Sequence, residues 1–244
     1  GNGKLGYDST NNKGAEAGWN GMASLGAVDL GARRTAVAGP AAASHTCSIL
    51  DNGDLKCWGQ GGAGQLGYDT TDDLGNFPPE MASLGTVDLG AGRTAVAVSC
   101  GVQRTCSVLD NGELKCWGSN NQGQLGYDST DNKGDSAGEM ASLAAVNLGA
   151  GHTAATLSCG GWHTCSVLDN AELKCWGSGG NGQLGYDATA SLGDAAGEMA
   201  SLAAVQLASD VHACLPPPSV SPLPPPLSQP SPPPPSPPPP VGQS

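Results

Sequence analysis

The stretch that decides the fold is "HTCSILDNGDLKCWG", from His45 to Gly59, because near-copies of it recur further along the chain. They read "RTCSVLDNGELKCWG" from Arg104 and "HTCSVLDNAELKCWG" from His163. Each copy begins 59 residues after the previous one. A constant period of this length predicts a repeat architecture, in which every unit packs mainly on its neighbours.

The period also sets the expected organisation of the 244 residues. We predict full repeats over about 1–59, 60–118 and 119–177 and a partial repeat over 178–214. The composition then changes abruptly, and residues 215–244 are predicted to form a separate proline-rich tail.

Each repeat contains a hairpin signature. The segments "TCSVL" and "ELKCWG" flank Asp110 to Gly112, a three-residue turn in which glycine supplies the left-handed conformation. The segments "AVDL" and "RTAVAV" are predicted as two more strands, which gives an all-β fold with four strands in each repeat. The third copy has Ala171 at the glycine position, so its turn is expected to be strained or of another type.

The hairpin register places Cys106 directly opposite Cys116, at an expected Cα separation of roughly 4.5 to 5.5 Å, which suits a disulfide. The same register predicts the pairs Cys47 with Cys57 and Cys165 with Cys175. Zinc is the alternative, although zinc knuckles favour about two to four residues between their ligands. Disulfides would also compensate for a thin core, since only 39 of 244 residues are Leu, Ile, Val or Phe.

Three further cysteines remain, Cys100, Cys159 and Cys214. An odd number cannot pair completely within one chain, so at least one is expected to be free or bonded to another molecule. Repeated disulfides predict a secreted protein in an oxidising setting.

Charge excludes several classes of partner. Ten basic residues against 22 acidic ones give a net charge of −12, and no segment gathers Lys or Arg into a patch. Nucleic acid is therefore not an expected partner, because binding requires cations that neutralise phosphates. No apolar run of about 18 residues is present, so no membrane span is predicted.

The stretch "DNGELKCWGSNNQGQLGYDST", from Asp110 to Thr130, resembles the regulator of chromosome condensation repeat, especially its secreted, cysteine-bearing versions. The resemblance implies blades of a propeller, commonly seven, in a family of exchange factors, photoreceptors, inhibitors and scaffolds. Three and a half units do not complete such a ring, so we expect an incomplete or open propeller. Its unpaired ends predict head-to-tail self-association into oligomers or filaments.

The tail holds 16 of the 19 prolines and includes "SPPPPSPPPP", from Ser231 to Pro240. Such a segment is expected to form a polyproline II rod. It resembles the hydroxyproline-rich segments of pherophorins and extensins, which implies hydroxylation and O-glycosylation. The alternatives are a stiff spacer or a ligand for aromatic-lined grooves. Candidate modification sites are Pro217, Pro218, Pro222, Pro225, Pro226, Pro233, Pro234, Pro238 and Pro239.

Catalytic motifs are absent from the sequence: it contains no nucleophile elbow, phosphate loop or His-Glu-x-x-His pattern. We therefore predict no catalytic residues, no enzyme activity and no cofactor. Arginine stands in slots equivalent to those of several histidines, which favours a surface polar role over metal binding. These histidines are His45, His152, His163 and His212.

Two local features suggest ligands. The loop "YDSTDNKGD" gathers Asp128, Asp131, Asn132 and Asp135, which suggests calcium, although ordinary Asx turns also explain it. Trp162 stands where the other repeats have Ser44 and Gln103. If exposed, it can stack on a sugar ring; local packing is the alternative.

These observations predict a non-enzymatic extracellular structural protein of a wall, matrix or surface filament, with self-associating disulfide-stapled repeats and a glycosylated tail. The alternative is a lectin-like or protein-binding propeller on a proline-rich stalk. A nuclear exchange or chromatin factor is a third hypothesis, and it would require free thiols.

Overall fold

The computed structural model describes residues 2–11, 25–31 and 34–207. Cys214, His212 and the candidate proline sites lie outside the described residues. No helix in the described part is long and apolar enough to cross a membrane.

Nine strands in the described ranges form three antiparallel sheets, one for each copy of the hairpin sequence. The prediction of an all-β fold with repeated blades is confirmed. The first sheet contains β1 (Ala36–Ala38), β2 (His45–Leu50) and β3 (Leu55–Gly59). The second contains β4 (Ala95–Cys100), β5 (Arg104–Leu109) and β6 (Leu114–Gly118). The third contains β7 (Ala154–Cys159), β8 (His163–Leu168) and β9 (Leu173–Gly177).

The hairpins turn where the sequence indicates. Leu109 donates its N–H to the Glu113 carbonyl at 2.9 Å, which closes the three-residue turn, and Gly112 is left-handed with φ 78°. Ala171 keeps the same turn with φ 66°, so of the two alternatives the structure shows the strained turn and not another turn type. The third repeat instead holds an alanine in a conformation that favours glycine.

The expectation of four strands in each repeat is also wrong. The "AVDL"-type segments are not strands. Val87 in the second repeat contacts β3 of the first repeat through one backbone hydrogen bond, in which its N–H donates to the Leu55 carbonyl. A fourth position in each blade is occupied by an isolated bridge, such as Gly118 with Lys133. Each sheet is followed by a one-turn helix that was not predicted: α1 (Glu80–Ser83), α2 (Glu139–Ser142) and α3 (Glu198–Ser201).

The core lies between consecutive repeats and inside each one. From here a repeat is counted as one sheet together with the segment before it and the loop and one-turn helix after it, so the three repeats end with α1, α2 and α3. One cluster combines Cys47, Ile49 and Leu66 from the first repeat with Val87 and Trp117 from the second. An equivalent cluster joins the second repeat to the third. The few apolar side chains are therefore concentrated at the contacts between consecutive repeats, which we call seams. This is expected for a repeat protein, in which each repeat buries its apolar surface against its neighbours.

Candidate functional site

The predicted cysteine pairs face each other across the hairpins. Cys106 is the register partner of Cys116, and the two sulfur atoms lie at bonding distance with the Cα atoms 4.0 Å apart. The pairs in the first and third repeats have the same geometry, with Cα separations of 4.0 and 4.1 Å. These six sulfur atoms are buried or half-buried within the sheets.

The Cα separation is shorter than expected, and the backbone hydrogen bonds give a reason. Cys47 donates its N–H to the Pro40 carbonyl, and Cys57 donates its N–H to the Tyr68 hydroxyl. Neither N–H points at the facing strand, so the pair occupies a non-hydrogen-bonded position, where antiparallel strands approach most closely.

The prediction of a surface role is wrong for His45, which is fully buried at the seam between repeats. Its Nε2 lies 2.9 Å from the Thr105 hydroxyl of the second repeat. Burial lowers the pKa of His45 to about 4, so the ring is neutral at physiological pH. His163 and His152 are both half-buried, and His152 Nδ1 lies 3.1 Å from Asp169 Oδ1.

Arg104 occupies the position equivalent to His45 in the second repeat and is 1% exposed. Its guanidinium donates to the Gly161 carbonyl at 2.8 Å, to the Thr164 hydroxyl at 3.2 Å and to the His163 carbonyl. Burial lowers the pKa of the guanidinium, but the carbonyl oxygens of the third repeat solvate the charge. This side chain therefore joins two repeats instead of facing solvent.

Cys100 and Cys159, at the ends of β4 and β7, carry free thiols. Burial raises the pKa of Cys100 to about 12 and also raises the pKa of Cys159, so both thiols stay protonated and react slowly. Among the described residues, one group of three metal-ligating side chains occurs: His45, Cys47 and Cys100, with ligand atoms within 4.8 Å of one another. Cys47 is already bonded to Cys57 there.

The proposed calcium loop makes contacts between repeats. Both oxygens of Asp128 accept backbone N–H groups of the third repeat, from Met199 at 2.8 Å and from Gly197 at 3.0 Å. Asn132 accepts the Asn120 N–H at 3.0 Å. Asp128 therefore contacts the next repeat and not the backbone of its own loop.

Trp162 lies on the surface and is 40% exposed, unlike the repeated tryptophans of "CWG", which are at most 5% exposed. It lines a shallow pocket of about 240 Å³ together with Asn121, Gln122 and Ser178. The sequence identified Trp162 as a departure from the repeat, but the neighbouring amides come from the preceding repeat and were missed.

Comparisons with known proteins agree with this architecture. A family model described as the regulator of chromosome condensation (RCC1) repeat matches residues 43–65, 95–124 and 154–183. These ranges cover the three hairpins with the disulfide geometry described above.

The sequence is similar to parts of much longer proteins. It is 30% identical over 148 residues to the ultraviolet-B receptor UVR8 of Arabidopsis thaliana, covering 59% of this chain and 30% of the receptor. It is 28% identical over 143 residues to the human E3 ubiquitin-protein ligase HERC2, covering 58% of this chain and 3% of the ligase. The chain thus spans less than a third of either relative.

Structural comparison gives the same fold. The chain is similar to a crystal structure of Kap60 bound to yeast RCC1 (Prp20), with a TM-score of 0.53 and 15% identity, over 73% of this chain and 37% of that one. The successive antiparallel blades and the seams between them define a propeller-type repeat protein. Three segments of the chain match the RCC1 repeat, one in each of these blades.

Proposed function

We propose that this protein is a non-enzymatic extracellular structural protein whose repeats stack head to tail on those of further copies. The observation that carries this proposal is a pair of complementary faces, one on the first repeat and one on the third. Each is the uncovered counterpart of a surface that is buried between repeats inside the chain.

The seams inside the chain define what these faces bind. At the first seam, Ile49 and Cys47 of one repeat pack in the same cluster as Val87 and Leu89 of the next. All four are at most 5% exposed. Burial of such apolar side chains contributes favourably to packing, at about 25 cal/mol per Å².

The first repeat has the surface with which the second and third repeats contact the repeat before them. We call it the receiving half of a seam, and no described residue packs over it. Val28 and Leu30, the equivalents of Val87 and Leu89, are only half-buried. They line a mainly apolar groove of about 410 Å³ that also includes Ala36.

The third repeat has the opposite surface, with which the first and second repeats contact the repeat after them, and we call it the inserting half. In β5 all six residues are buried, whereas in β8 the exposure alternates, and His163, Cys165 and Val167 are half-buried. These are the equivalents of the residues that enter the seams inside the chain. Asp187, the equivalent of Asp128, is exposed and makes no hydrogen bond within the described part of the chain.

A second copy fits both halves, because the partner that each face requires is a repeat of the same kind. The contact would be heterologous, with the third repeat of one copy against the first repeat of the next. Repetition of that contact produces a ring if the rotation closes and a filament if it does not. We favour a filament of a wall, matrix or cell surface.

The extracellular part of the proposal is supported by the three facing cysteine pairs, because such bridges persist in oxidising compartments. The cysteine pairs are the observation that carries this part of the proposal. The proline-rich tail, proposed to be O-glycosylated, would hold the assembly in the hydrated matrix.

Sedimentation velocity over a hundredfold concentration range tests the association. We expect a weight-average sedimentation coefficient that rises with concentration for the unaltered chain. Val167→Lys and Val28→Lys, one on each face, should each reduce this rise, because both would bury an unpaired charge at the contact.

Glu172→Lys is the matched control, since it places the same charge on an exposed turn of the third repeat. It should associate as the unaltered chain does. An unaltered chain that stays monomeric throughout, or equal association of all variants, would overturn the proposal. Monomers would then indicate that other residues of the same polypeptide cover both faces.

A further inference from the structure

We propose that Trp162, Asn121, Gln122 and Ser178 form a binding site for a neutral sugar ring at the seam between the second and third repeats. None of its four residues is among those named above for the two end faces, so variants of this site and of those faces can be tested separately. Three observations support it: its shape, its unused polar groups and its difference from the other seam.

The shape combines an aromatic wall with a polar rim. Trp162 is 40% exposed at the edge of a concavity of about 240 Å³. An indole face offers a flat apolar surface of the size of one pyranose ring, and its N–H remains available as a donor. Small-ligand sites typically combine such an apolar wall with a few oriented polar groups.

The polar groups around Trp162 are held in place yet retain free hydrogen-bonding capacity. The buried Gln124 accepts the Gln122 N–H at 2.8 Å and donates to Asn121 Oδ1 at 3.3 Å. Ser178 donates its N–H to the Trp162 carbonyl at 2.8 Å, which fixes the backbone beside the ring.

Three atoms lack a protein partner among the residues that the structure describes: the Trp162 indole N–H, Asn121 Nδ2 and Gln122 Oε1. Together they offer donors and an acceptor. Sugar hydroxyls both donate and accept, so this mixture suits them better than it suits a ligand with acceptors alone.

The other seam provides an internal comparison. Its equivalent residues are Gly62, Ala63, Gln103 and Ser119, so the aromatic ring and both amides are missing together. The loop itself is unchanged, because the Ala63 N–H is bonded to Gln65 Oε1 at 2.8 Å, as Gln122 is to Gln124. Packing of the repeat therefore does not require these three side chains, and their joint presence at one exposed seam points to a ligand.

The absence of charge in the lining indicates the class of ligand. All four lining residues are neutral, and the whole chain has a net charge of −12. Sulfated or uronic-acid glycans would be repelled by that charge. Neutral hexose or pentose polymers fit the site best.

Affinity electrophoresis in gels that contain galactan, arabinan, mannan, xylan or hydroxyethyl cellulose tests this proposal. We expect at least one neutral polysaccharide to retard the unaltered chain. Trp162→Gln, which installs the residue of the preceding repeat, should weaken that retardation roughly tenfold or more without changing the thermal midpoint. Repeating the measurement on Val167→Lys separates sugar binding from self-association.

A transplant provides the converse test. Gly62→Asn, Ala63→Gln and Gln103→Trp together reproduce the site at the first seam, and a side chain at Gly62 would meet open space. This triple variant should bind the same polysaccharide more tightly than the unaltered chain does. Equal retardation of Trp162→Gln and the unaltered chain would overturn the proposal. Retardation by none of the five polymers would also overturn it. A synthetic, unglycosylated peptide of residues 216–240 serves as a further probe, and binding of this peptide alone would equally overturn the proposal.

Discussion

Asp128 in the second repeat accepts the backbone N–H of Met199, 71 residues further along the chain, at 2.8 Å. Its other carboxylate oxygen accepts the Gly197 N–H at 3.0 Å, so one side chain holds the start of α3. Asp69 holds α2 in the same way, through Met140 and Gly138. Asp69 and Asp128, the left-handed aspartates that follow "LGY" in two of the copies, therefore join consecutive repeats.

Removing such a contact should destabilise the fold. We expect Asp128→Ala to lower the free energy of unfolding by about 1 to 2 kcal/mol, because two backbone donors lose their acceptor. Urea unfolding followed by tryptophan fluorescence measures the change. Asp187→Ala is the matched control, because Asp187 has a similar φ of 54° and caps no helix in the described residues. An equal loss in both variants would show that backbone strain, not capping, is responsible.

Ala171 offers a stabilising substitution. Ala171→Gly should raise the free energy of unfolding by about 1 kcal/mol, because glycine adopts the left-handed conformation at this turn without a steric penalty. Thermal unfolding by calorimetry would show the increase. The opposite change, Gly112→Ala, should destabilise, since its Cβ would also lie 2.7 Å from the Thr153 Cβ. An unchanged or lower midpoint for Ala171→Gly would mean that the turn is not strained.

The cysteine pairing can be counted directly. The described residues contain three bridges and two free thiols, Cys100 and Cys159. The denatured, unreduced protein should therefore expose three reactive thiols, or two where Cys214 is bonded to another molecule. Alkylation followed by mass measurement gives this number. Nine reactive thiols would contradict both the pairing and the proposed oxidising compartment.

The same bridges should contribute to stability. Replacing Cys106 and Cys116 together by alanine should cost about 2 to 3 kcal/mol, since the free chain regains the entropy of an open loop. Cys100→Ala is the comparison, because it removes a buried thiol without opening a loop. If the double variant and Cys100→Ala unfold at the same urea concentration, the hairpin is not held by its bridge.

His45 predicts a specific dependence of stability on pH. Burial lowers its pKa from 6.5 to about 4, so between these values the unfolded chain binds a proton that the folded chain excludes. The contribution of His45 is complete above pH 6.5 and is lost as the pH falls towards 4, by up to about 3 kcal/mol. His45→Gln should show a flatter pH profile over this window. Parallel profiles would indicate that His45 titrates normally in the fold.

The features of the fold that depend on residues close in sequence could be predicted. The turn between Leu109 and Glu113 and the pairing register of the cysteines follow from local rules, because strand alternation and turn length determine them. The "AVDL" segment was wrongly assigned because alternating valine and leucine also occur where a segment packs against the next sheet without a ladder. Val87 contributes side-chain burial, which this pattern cannot distinguish from strand pairing.

Contacts between repeats were harder to predict. His45 and Arg104 look like exposed residues, because histidine and arginine alternate at this position of the repeat. Their hydrogen-bond partners, Thr105 and Thr164, lie 60 residues further along the chain. A signal was present in retrospect, because a threonine follows the basic residue in every repeat. Trp162 was identified as unusual, while its amide neighbours emerged only from the geometry of the seam.

The indole of Trp162 occurs once for every three repeats. In a head-to-tail array it would therefore recur at a fixed spacing along one polymer, and several weak contacts with a long glycan would add through avidity. Such an array would bind a polysaccharide tightly, while each single contact between an indole and a sugar ring formed and broke rapidly. This is the behaviour of a reversible cross-linker in a growing wall.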